Sequence, residues 1–512
     1  MIERALISVY DKSGLDEFAQ GLVELDIEIV SSGGTSAYLE EMGIAVKRIE
    51  EITEVPELLG GRVKTLHPRI HAGILARRDQ PDDLAALDEQ EIRPIDLVCV
   101  NLYPFRETVA KRGVREEDAV EVIDIGGPAM LRAAAKNFAH VVPVCRAPQY
   151  ERVLEELRRD HELSLETRRE LAAEAFSVTA AYEASIAAWF MDRQTFPDRL
   201  IPAFEKVLDL SYGENPHQRA AYYAELGARR HLLSQVEQLH GRELSYNNLN
   251  DLNAARLCLR EFELPACVIV KHANPCGVAV AGSIEHAYER AVAADPVSAY
   301  GGVVVLNRPV SEELADLLVA QFVEVLFSPG YDDGALETLT QKPATRILVD
   351  RERRRDVPGE RDFKRVLGGL LVQDRDWDVE DRAGMEVVCG SPDEAQWGEL
   401  LFAWRVCKHV TSNAIVLGRD LQTLGIGAGQ MSRVDSVRIA LEKAREHGHE
   451  LTGAALASDA FFPFADGPEL ALGAGVTGFI QPGGSKRDPE VIAAVEQARA
   501  AMVFTARRHF RH

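Results

Sequence analysis

Through roughly the first 145 residues, short apolar runs alternate with segments of helical period. Strands are predicted at 5–9, 27–30, 97–102 and 141–144, with helices at 15–24 and 37–42 between them. The strand runs are apolar almost continuously instead of at every second position. That is the mark of a parallel sheet covered on both faces, with helices as crossovers. Ligands of such sheets sit beyond the carboxyl ends of the strands. The segments that follow the strands therefore matter most: Tyr10-Asp11-Lys12-Ser13-Gly14, Ser31-Ser32-Gly33-Gly34-Thr35 and Tyr103-Pro104-Phe105. The three are expected to converge on one crevice.

A long helical pattern over 163–189 (Leu171, Val178, Tyr182, Ile186, Trp189) reads as core or interface packing. Thr195-Phe196-Pro197-Asp198-Arg199 and Pro202 then break it, which sets a domain boundary near residue 200. The expected organisation is a domain over 1–200, with its sheet core at about 1–145 and a helical extension, followed by 201–512. The second part again mixes strands (267–270, 303–306, 414–417) with helices and is long enough for two subdomains. The charged stretch at about 331–365, with Arg351-Glu352-Arg353-Arg354-Arg355, reads as a solvated loop or helix face. No internal repeat at a fixed period is visible.

Composition narrows the partners. The 512 residues carry 58 Lys and Arg against 81 Asp and Glu, a formal net charge of −23. That excess argues against nucleic acid or an anionic membrane as the main partner. Seven scattered cysteines without a C-x-x-C pair fit a reduced compartment better than a disulfide framework or a zinc site. The N-terminus lacks the basic region of a signal peptide, and no uncharged apolar run is long and unbroken enough to span a bilayer. A soluble cytoplasmic protein is expected. If it binds anionic ligands, it does so with a few local cations and backbone N–H groups.

Candidate chemistry gathers in a few strings. Ser32-Gly33-Gly34-Thr35 follows a strand and opens a helix, which suits either a phosphate at the helix start or a sterically tight turn. Gly60-Gly61-Arg62-Val63-Lys64-Thr65-Leu66-His67-Pro68 is not a Walker A loop, but it offers two cations, a hydroxyl and an imidazole after a double glycine. Asp124-Ile125-Gly126-Gly127-Pro128 puts a carboxylate before a helix, as a chemical group or as a cap. Arg132 and Lys136 follow at i,i+4 on one face. In the second part, a strand ends in Lys271-His272 ahead of Ala273-Asn274-Pro275-Cys276-Gly277. The lysine charge disfavours the imidazolium and so favours a neutral ring able to accept a proton. Gly425-Ile426-Gly427-Ala428-Gly429-Gln430 does not satisfy the dinucleotide fingerprint. Ser458-Asp459-Ala460-Phe461-Phe462-Pro463-Phe464 sets aromatic faces beside a carboxylate, for stacking or for a core. The terminal Arg507-Arg508-His509-Phe510-Arg511-His512 is either a frayed tail or a buried phosphate clamp.

Taken together, these strings resemble the bifunctional purine-biosynthesis family that joins aminoimidazole carboxamide ribonucleotide (AICAR) transformylase to inosine monophosphate (IMP) cyclohydrolase, over essentially the whole chain. The resemblance implies an α/β protein: an N-terminal methylglyoxal-synthase-like parallel-sheet domain, then a transformylase region of two cytidine-deaminase-like α/β subdomains. The deaminase zinc signature needs a second cysteine after Pro275-Cys276, which is absent, so no metal is expected. The implied formyl donor is 10-formyltetrahydrofolate, and the implied assembly is a homodimer.

By the same resemblance Lys271 and His272 handle protons in formyl transfer. Tyr212, Asn248, Gly301, Glu324, Asn413, Arg433, Phe461 and Arg508 surround the nucleotide, and Ser485 and Lys486 lie near the folate. For cyclisation the matched positions are Lys64, Tyr103, Asp124 and Lys136, with Lys12, Ser32, Gly34, Thr35, Arg62 and Asn101 around the nucleotide. Lys136 with Asp124 is the expected proton-transfer pair, and Lys64 or backbone N–H groups the oxyanion donors. One position departs from the family pattern: Ser211 precedes Tyr212-Gly213-Glu214-Asn215-Pro216-His217-Gln218 where an arginine is usual. A hydroxyl cannot replace a bidentate guanidinium on a phosphate. Ser211 motivates one alternative to the bifunctional reading, a lone cyclohydrolase with a degenerate transformylase half, against which the intact Lys271-His272 pair argues. A second, a non-catalytic nucleotide-binding interaction protein, would require loss of the proton-handling residues, which the sequence retains.

Overall fold

The computed structural model describes residues 2–111, 113–191, 196–226, 236–350, 360–379 and 381–512. The Arg351–Arg355 run and Thr195 lie outside the described residues. Two compact units emerge, residues 1–205 with 225–229, and residues 206–224 with 230–512.

The first unit is built on five parallel strands: β1 (Arg4–Ser8), β2 (Glu28–Ser31), β3 (Lys47–Arg48), β4 (Leu97–Val100) and β5 (Val142–Val144), in the order β3-β2-β1-β4-β5. Alternate residues of one strand enter different cores. Ile7, Leu97 and Cys99 pack with Phe18, Leu22 and Leu154 on one face, while Leu6, Val98 and Val100 pack with Ile70, Ile74 and Met130 on the other. Both faces are thus covered, which is why the strands read as unbroken apolar runs. The helix after β2 spans Gly33–Glu41 and so begins four residues earlier than the apolar pattern suggested. The glycines are its first turn. A helix over Leu165–Phe190 closes the unit.

Two separate two-stranded sheets occur: β6 (Phe204–Leu210) with β7 (Ala220–Glu225), and, further on, β14 (Arg361–Val366) with β15 (Gly369–Asp374). The second unit's main sheet has twelve strands. Its first half comprises β8 (Glu237–His240), β9 (Ala266–Lys271), β10 (Asn274–Val280), β11 (Val303–Leu306), β12 (Val325–Ser328) and β13 (Arg346–Val349). The second half comprises β16 (Glu386–Cys389), β17 (Ile415–Arg419), β18 (Gln422–Gly427), β19 (Ala455–Ser458), β20 (Gly478–Gln481) and β21 (Ala501–Phe504). The order is β16-β21-β20-β19-β17-β18-β10-β9-β11-β12-β13-β8.

The two halves share one plan. Each has an antiparallel hairpin, a strand antiparallel to the hairpin's first member, two further parallel strands and an antiparallel edge. They meet where β10 pairs antiparallel with β18, at Ala279 and Gln422. No repeat at a fixed period marks this duplication in the sequence. The repeat is one of topology, carried by burial pattern and not by residue identity. One face holds a single core shared by both halves (Val268, Val270, Phe402, Trp404, Val416), under the helices Tyr246–Leu259 and Glu394–Cys407. The opposite face has separate cores around Ile269 and Leu314, and around Leu417 and Phe479. Of the charged stretch at about 331–365, the described residues include a helix over Asp333–Thr340 and the buried strand β13, while the Arg351–Arg355 run itself lies outside the described residues. No helix among the described residues is long and apolar enough to cross a membrane.

Candidate active site

In the first unit the strand-end loops do converge. Asn101, just past β4, accepts the backbone N–H of Tyr10 at 2.6 Å and of Asp11 at 3.1 Å, and donates to the Asp11 carbonyl at 2.7 Å. Thr35 ties the next loop to the end of β1, accepting Val9 N–H at 3.1 Å and donating to its carbonyl at 2.9 Å. Lys12 folds back on the Val9 and Tyr10 carbonyls, at 3.1 and 3.3 Å, and burial lowers its pKa. The ring of Tyr103 meets Tyr10 edge-on at 5.7 Å, and both side chains are exposed. Ser32 stands at the cap of the helix Gly33–Glu41 without using its hydroxyl on it, so that the first N–H groups of the helix, Gly34 among them, suit an anion. Lys64 reaches the same place from its own loop: a Cβ on Gly33 would lie 3.0 Å from its Nζ. Its charge is already met by Glu57 at 2.7 Å, and Arg62 pairs with Glu121.

Asp124 is both a cap and a candidate acid. It accepts Gly127 N–H at 2.9 Å at the start of the helix Gly126–Lys136, and its backbone is held by the Tyr182 hydroxyl at 2.8 Å. Burial raises its pKa, opposed by hydrogen bonds from Gly127 and Tyr103. The expected pairing with Lys136 fails within the chain. Asp124 precedes the first turn and Lys136 is the last residue of an 11-residue helix, which separates the two by about 15 Å along the axis. Its neighbour Arg132 lies over the ring of Phe176, 5.5 Å from the centroid.

In the second unit Lys271 ends β9 and pairs in register with Asn274, leaving His272 and Ala273 as a two-residue hairpin turn. Both have positive φ, 54° and 60°, as the primed turns of tight hairpins require. Histidine tolerates that region better than most residues, alanine does not. Asp251, on the helix Tyr246–Leu259, accepts Ala273 N–H at 2.7 Å and also bonds the His272 amide. Burial pushes the Asp251 carboxyl up, against those donors. On the other side, Lys271 Nζ donates to the Tyr300 carbonyl at 2.6 Å. The turn is thereby held from two directions. Asp251 and Tyr300 are neighbours of this turn that spacing along the chain could not reveal.

Other expected residues connect to this turn. Thr411 N–H donates to Asn274 Oδ1 at 2.9 Å, which brings Asn413 close. Asn413 Oδ1 accepts from Arg433 at 2.7 Å, and Arg433 is buried against Ser458 at 2.8 Å and Asp459. Arg433 therefore arrives already neutralised. Gly301, φ 69°, follows the Tyr300 carbonyl, and Glu324 N–H donates to Gly302 while its carboxylate holds Arg346 at 2.7 Å. Tyr212 accepts Tyr246 N–H at 3.1 Å, and buried Asn248 forms a reciprocal cap with Ser245. Phe461 is exposed. Ser485 and Lys486 sit in a turn closed by Asp488, with no hydrogen bond or ion pair to the Lys271-His272 turn among the described residues. Arg508 does not share the Lys271-His272 cleft. It lies over Phe510, 4.5 Å from the centroid, in a separate cleft with Trp377, Lys408 and Arg511. The C-terminus is not frayed, because His509 meets Asp376 at 2.6 Å and Arg511 donates to the His409 carbonyl at 2.6 Å.

The glycines of Gly425-Ile426-Gly427 serve packing. A Cβ would stand 2.1 Å from the Ala440 carbonyl oxygen at Gly425 and 1.9 Å from that of Ser436 at Gly427. Gly277, the counterpart on β10, would meet the Ala291 oxygen at 2.0 Å.

Residues 134–443, 310 of the 512, match the family described as AICARFT/IMPCHase bienzyme, and residues 14–129 match the MGS-like domain. The chain belongs to the AICARFT/IMPCHase bienzyme family. A solved structure described as "Crystal structure of ForH" is 40% identical, covering 37% of this chain and 96% of that chain at a TM-score of 0.33. The bienzyme is a formyltransferase and a cyclohydrolase of purine biosynthesis, moving a formyl group to AICAR and closing the product to IMP. A folate cosubstrate is consistent with the first activity, and AICAR and IMP are its implied ligands. The lone-cyclohydrolase and non-catalytic alternatives give way to this assignment.

Proposed function

We propose that residues 1–200 carry the cyclohydrolase and 201–512 the transformylase, with 10-formyltetrahydrofolate as donor, in a cytoplasmic homodimer. The carrying observation is the Lys271-His272 turn, clamped by Asp251 and by the Tyr300 carbonyl. The exocyclic amine of AICAR is a poor nucleophile, its electron pair being delocalised into the ring. His272 takes its proton as the amine attacks the formyl carbon. The C–N bond to the folate then breaks, and Lys271 supplies the proton that the leaving nitrogen needs. Asn413, Arg433, Gly301, Glu324, Tyr212 and Asn248 shape the nucleotide side. Phe461 completes that side and Ser485 with Lys486 meets the folate, while Arg508, in its separate cleft, takes no part in this arrangement.

In the second step the carboxamide nitrogen attacks the formyl carbon of the same molecule, and water is lost. Alignment alone supplies up to about 7–11 kcal/mol for such an intramolecular reaction. Lys12, Ser32, Gly34, Thr35, Arg62 and Asn101 set the pose, and Tyr103 covers it. Lys64 and backbone N–H groups meet the oxyanion. The raised pKa of Asp124 supports its role as the acid that protonates the departing hydroxyl, without Lys136.

Absorbance after mixing the protein with AICAR and 10-formyltetrahydrofolate tests the whole reading, with IMP as the expected product. His272→Ala is expected to abolish formyl transfer and leave cyclisation of added formyl-AICAR intact. Equal loss of both would overturn the assignment of separate sites.

A further inference from the structure

We infer that Asp295 and Lys443 form a positioning pair that sets the Lys271 amine for formyl transfer, through the one-turn helix that presents the Tyr300 carbonyl. The inference rests on the proposed role of Lys271.

The chain of contacts is continuous. Asp295 is buried and caps the helix Pro296–Ala299, its Oδ1 accepting Ser298 N–H at 2.9 Å and its Oδ2 the Ser298 hydroxyl at 2.7 Å. Ala299 N–H returns to the Asp295 carbonyl at 2.9 Å, so the turn is closed by one residue at both ends. The next residue is Tyr300, whose carbonyl receives Lys271 Nζ. With one of its three donors fixed there, the ammonium has its remaining N–H groups directed elsewhere. The direction of the Tyr300 carbonyl is the direction of the lysine.

Asp295 is itself held from the other half of the duplicated sheet. Lys443, on the helix Arg433–Glu446, pairs with Oδ2 and lies 3.4 Å from the Ser298 hydroxyl, and His447 Nε2 lies 3.2 Å from Oδ1. Arg433, in the nucleotide group, begins the same helix. Lys271, His272, Asp295, Ser298 and Lys443 all line one small cleft of about 190 Å³. A cap for a four-residue helix needs no lysine from 148 residues away. Such a lysine makes sense as a brace that couples the two halves across the reacting lysine.

The experiment measures transformylase kcat and AICAR KM separately, with cyclisation of added formyl-AICAR as an internal control. Lys443→Met is expected to lower transformylase kcat by about 10–100-fold, the scale of a small misplacement of a reacting group. KM is expected to stay within about twofold, since uniform binding is untouched. Cyclisation is expected to stay unchanged, and Lys443→Arg to recover most of kcat. Ser298→Ala, a milder change to the same turn, is expected to lower kcat by about threefold to tenfold. An unchanged kcat in Lys443→Met, a rise in KM alone, or no recovery in Lys443→Arg would each overturn the inference. If Lys271→Met itself left transformylase kcat intact, the catalytic reading of Lys271 would fail first. If Lys271→Met abolished transfer and Lys443→Met did not change it, only the positioning inference would fall.

Discussion

Asp251 accepts the Ala273 amide at 2.7 Å, from a helix that precedes the His272 turn by more than a dozen residues. Both turn residues are non-glycine with positive φ, so the turn persists because its surroundings hold it. Asp251→Ala removes the acceptor and leaves two amides without it, at a cost of about 1–3 kcal/mol in stability. Transformylase activity is expected to fall at least about tenfold as the imidazole drifts. Cyclisation of formyl-AICAR is expected to persist. Paired assays and a thermal melt check both points.

Gly425 leaves room for a helix backbone and not for a ligand. Gly425→Ala would force its methyl against the Ala440 carbonyl oxygen and shift the helix Arg433–Glu446. The expected loss is about 3 kcal/mol or more, at the upper end of overpacking. Denaturant titration would show it, and Gly277→Ala is expected to match it. A fully stable Gly425→Ala protein would contradict the packing account.

Ser211 donates its hydroxyl to the Leu244 carbonyl at 3.2 Å and is exposed. An arginine there has open space and adds a charge-assisted contact worth about 1.5–3 kcal/mol where it meets a phosphate. Ser211→Arg is therefore expected to lower the AICAR KM by about tenfold with little change in kcat. Steady-state kinetics would reveal an unchanged or higher KM, which would end the idea.

Burial raises the Asp124 carboxyl above its ordinary 3.8. A raised folded-state value favours the folded protein while the group is protonated. That contribution is complete below 3.8 and is lost as pH rises through the raised value. Asp124→Asn cannot ionise and keeps an oxygen for the Gly127 amide. Its stability relative to the natural protein is expected to improve as pH rises across that window, followed by melts at successive pH. Its cyclisation rate is expected to drop about 100-fold or more.

Where the signal is local, the chain could be read directly. The strand 303–306 and the helix start at Leu15 follow from runs of residues in contact with their own neighbours. The convergence of the loops holding Tyr10, Thr35 and Tyr103 followed from strand direction alone, because parallel strands place their ends together. Long-range pairings carry no such mark. Lys443 and Asp295 sit on separate helices, and nothing in the spacing of either points to the other. Lys136 shows the opposite limit: the sequence reading paired it with Asp124 for proton transfer, and the length of one helix keeps the two side chains from direct contact within the chain. The cations also proved less available than a count implies, since Lys64, Arg62 and Arg433 already have carboxylate partners. Lys136, Lys486 and Arg508 show no carboxylate partner among the described residues.

The duplicated plan of the large sheet gives every position near the His272 turn a counterpart. In the second half Arg419 pairs with Gln422 across Asp420 and Leu421, whose φ values of 55° and 56° repeat those of His272 and Ala273. The chain thus contains the same backbone bend twice, once with an imidazole at its tip and once with a carboxylate. Substitutions at Asp420 and Leu421 report what the bend alone demands of a side chain. Subtracting that demand from the effect of the same change at His272 and Ala273 isolates chemistry from conformation inside a single molecule.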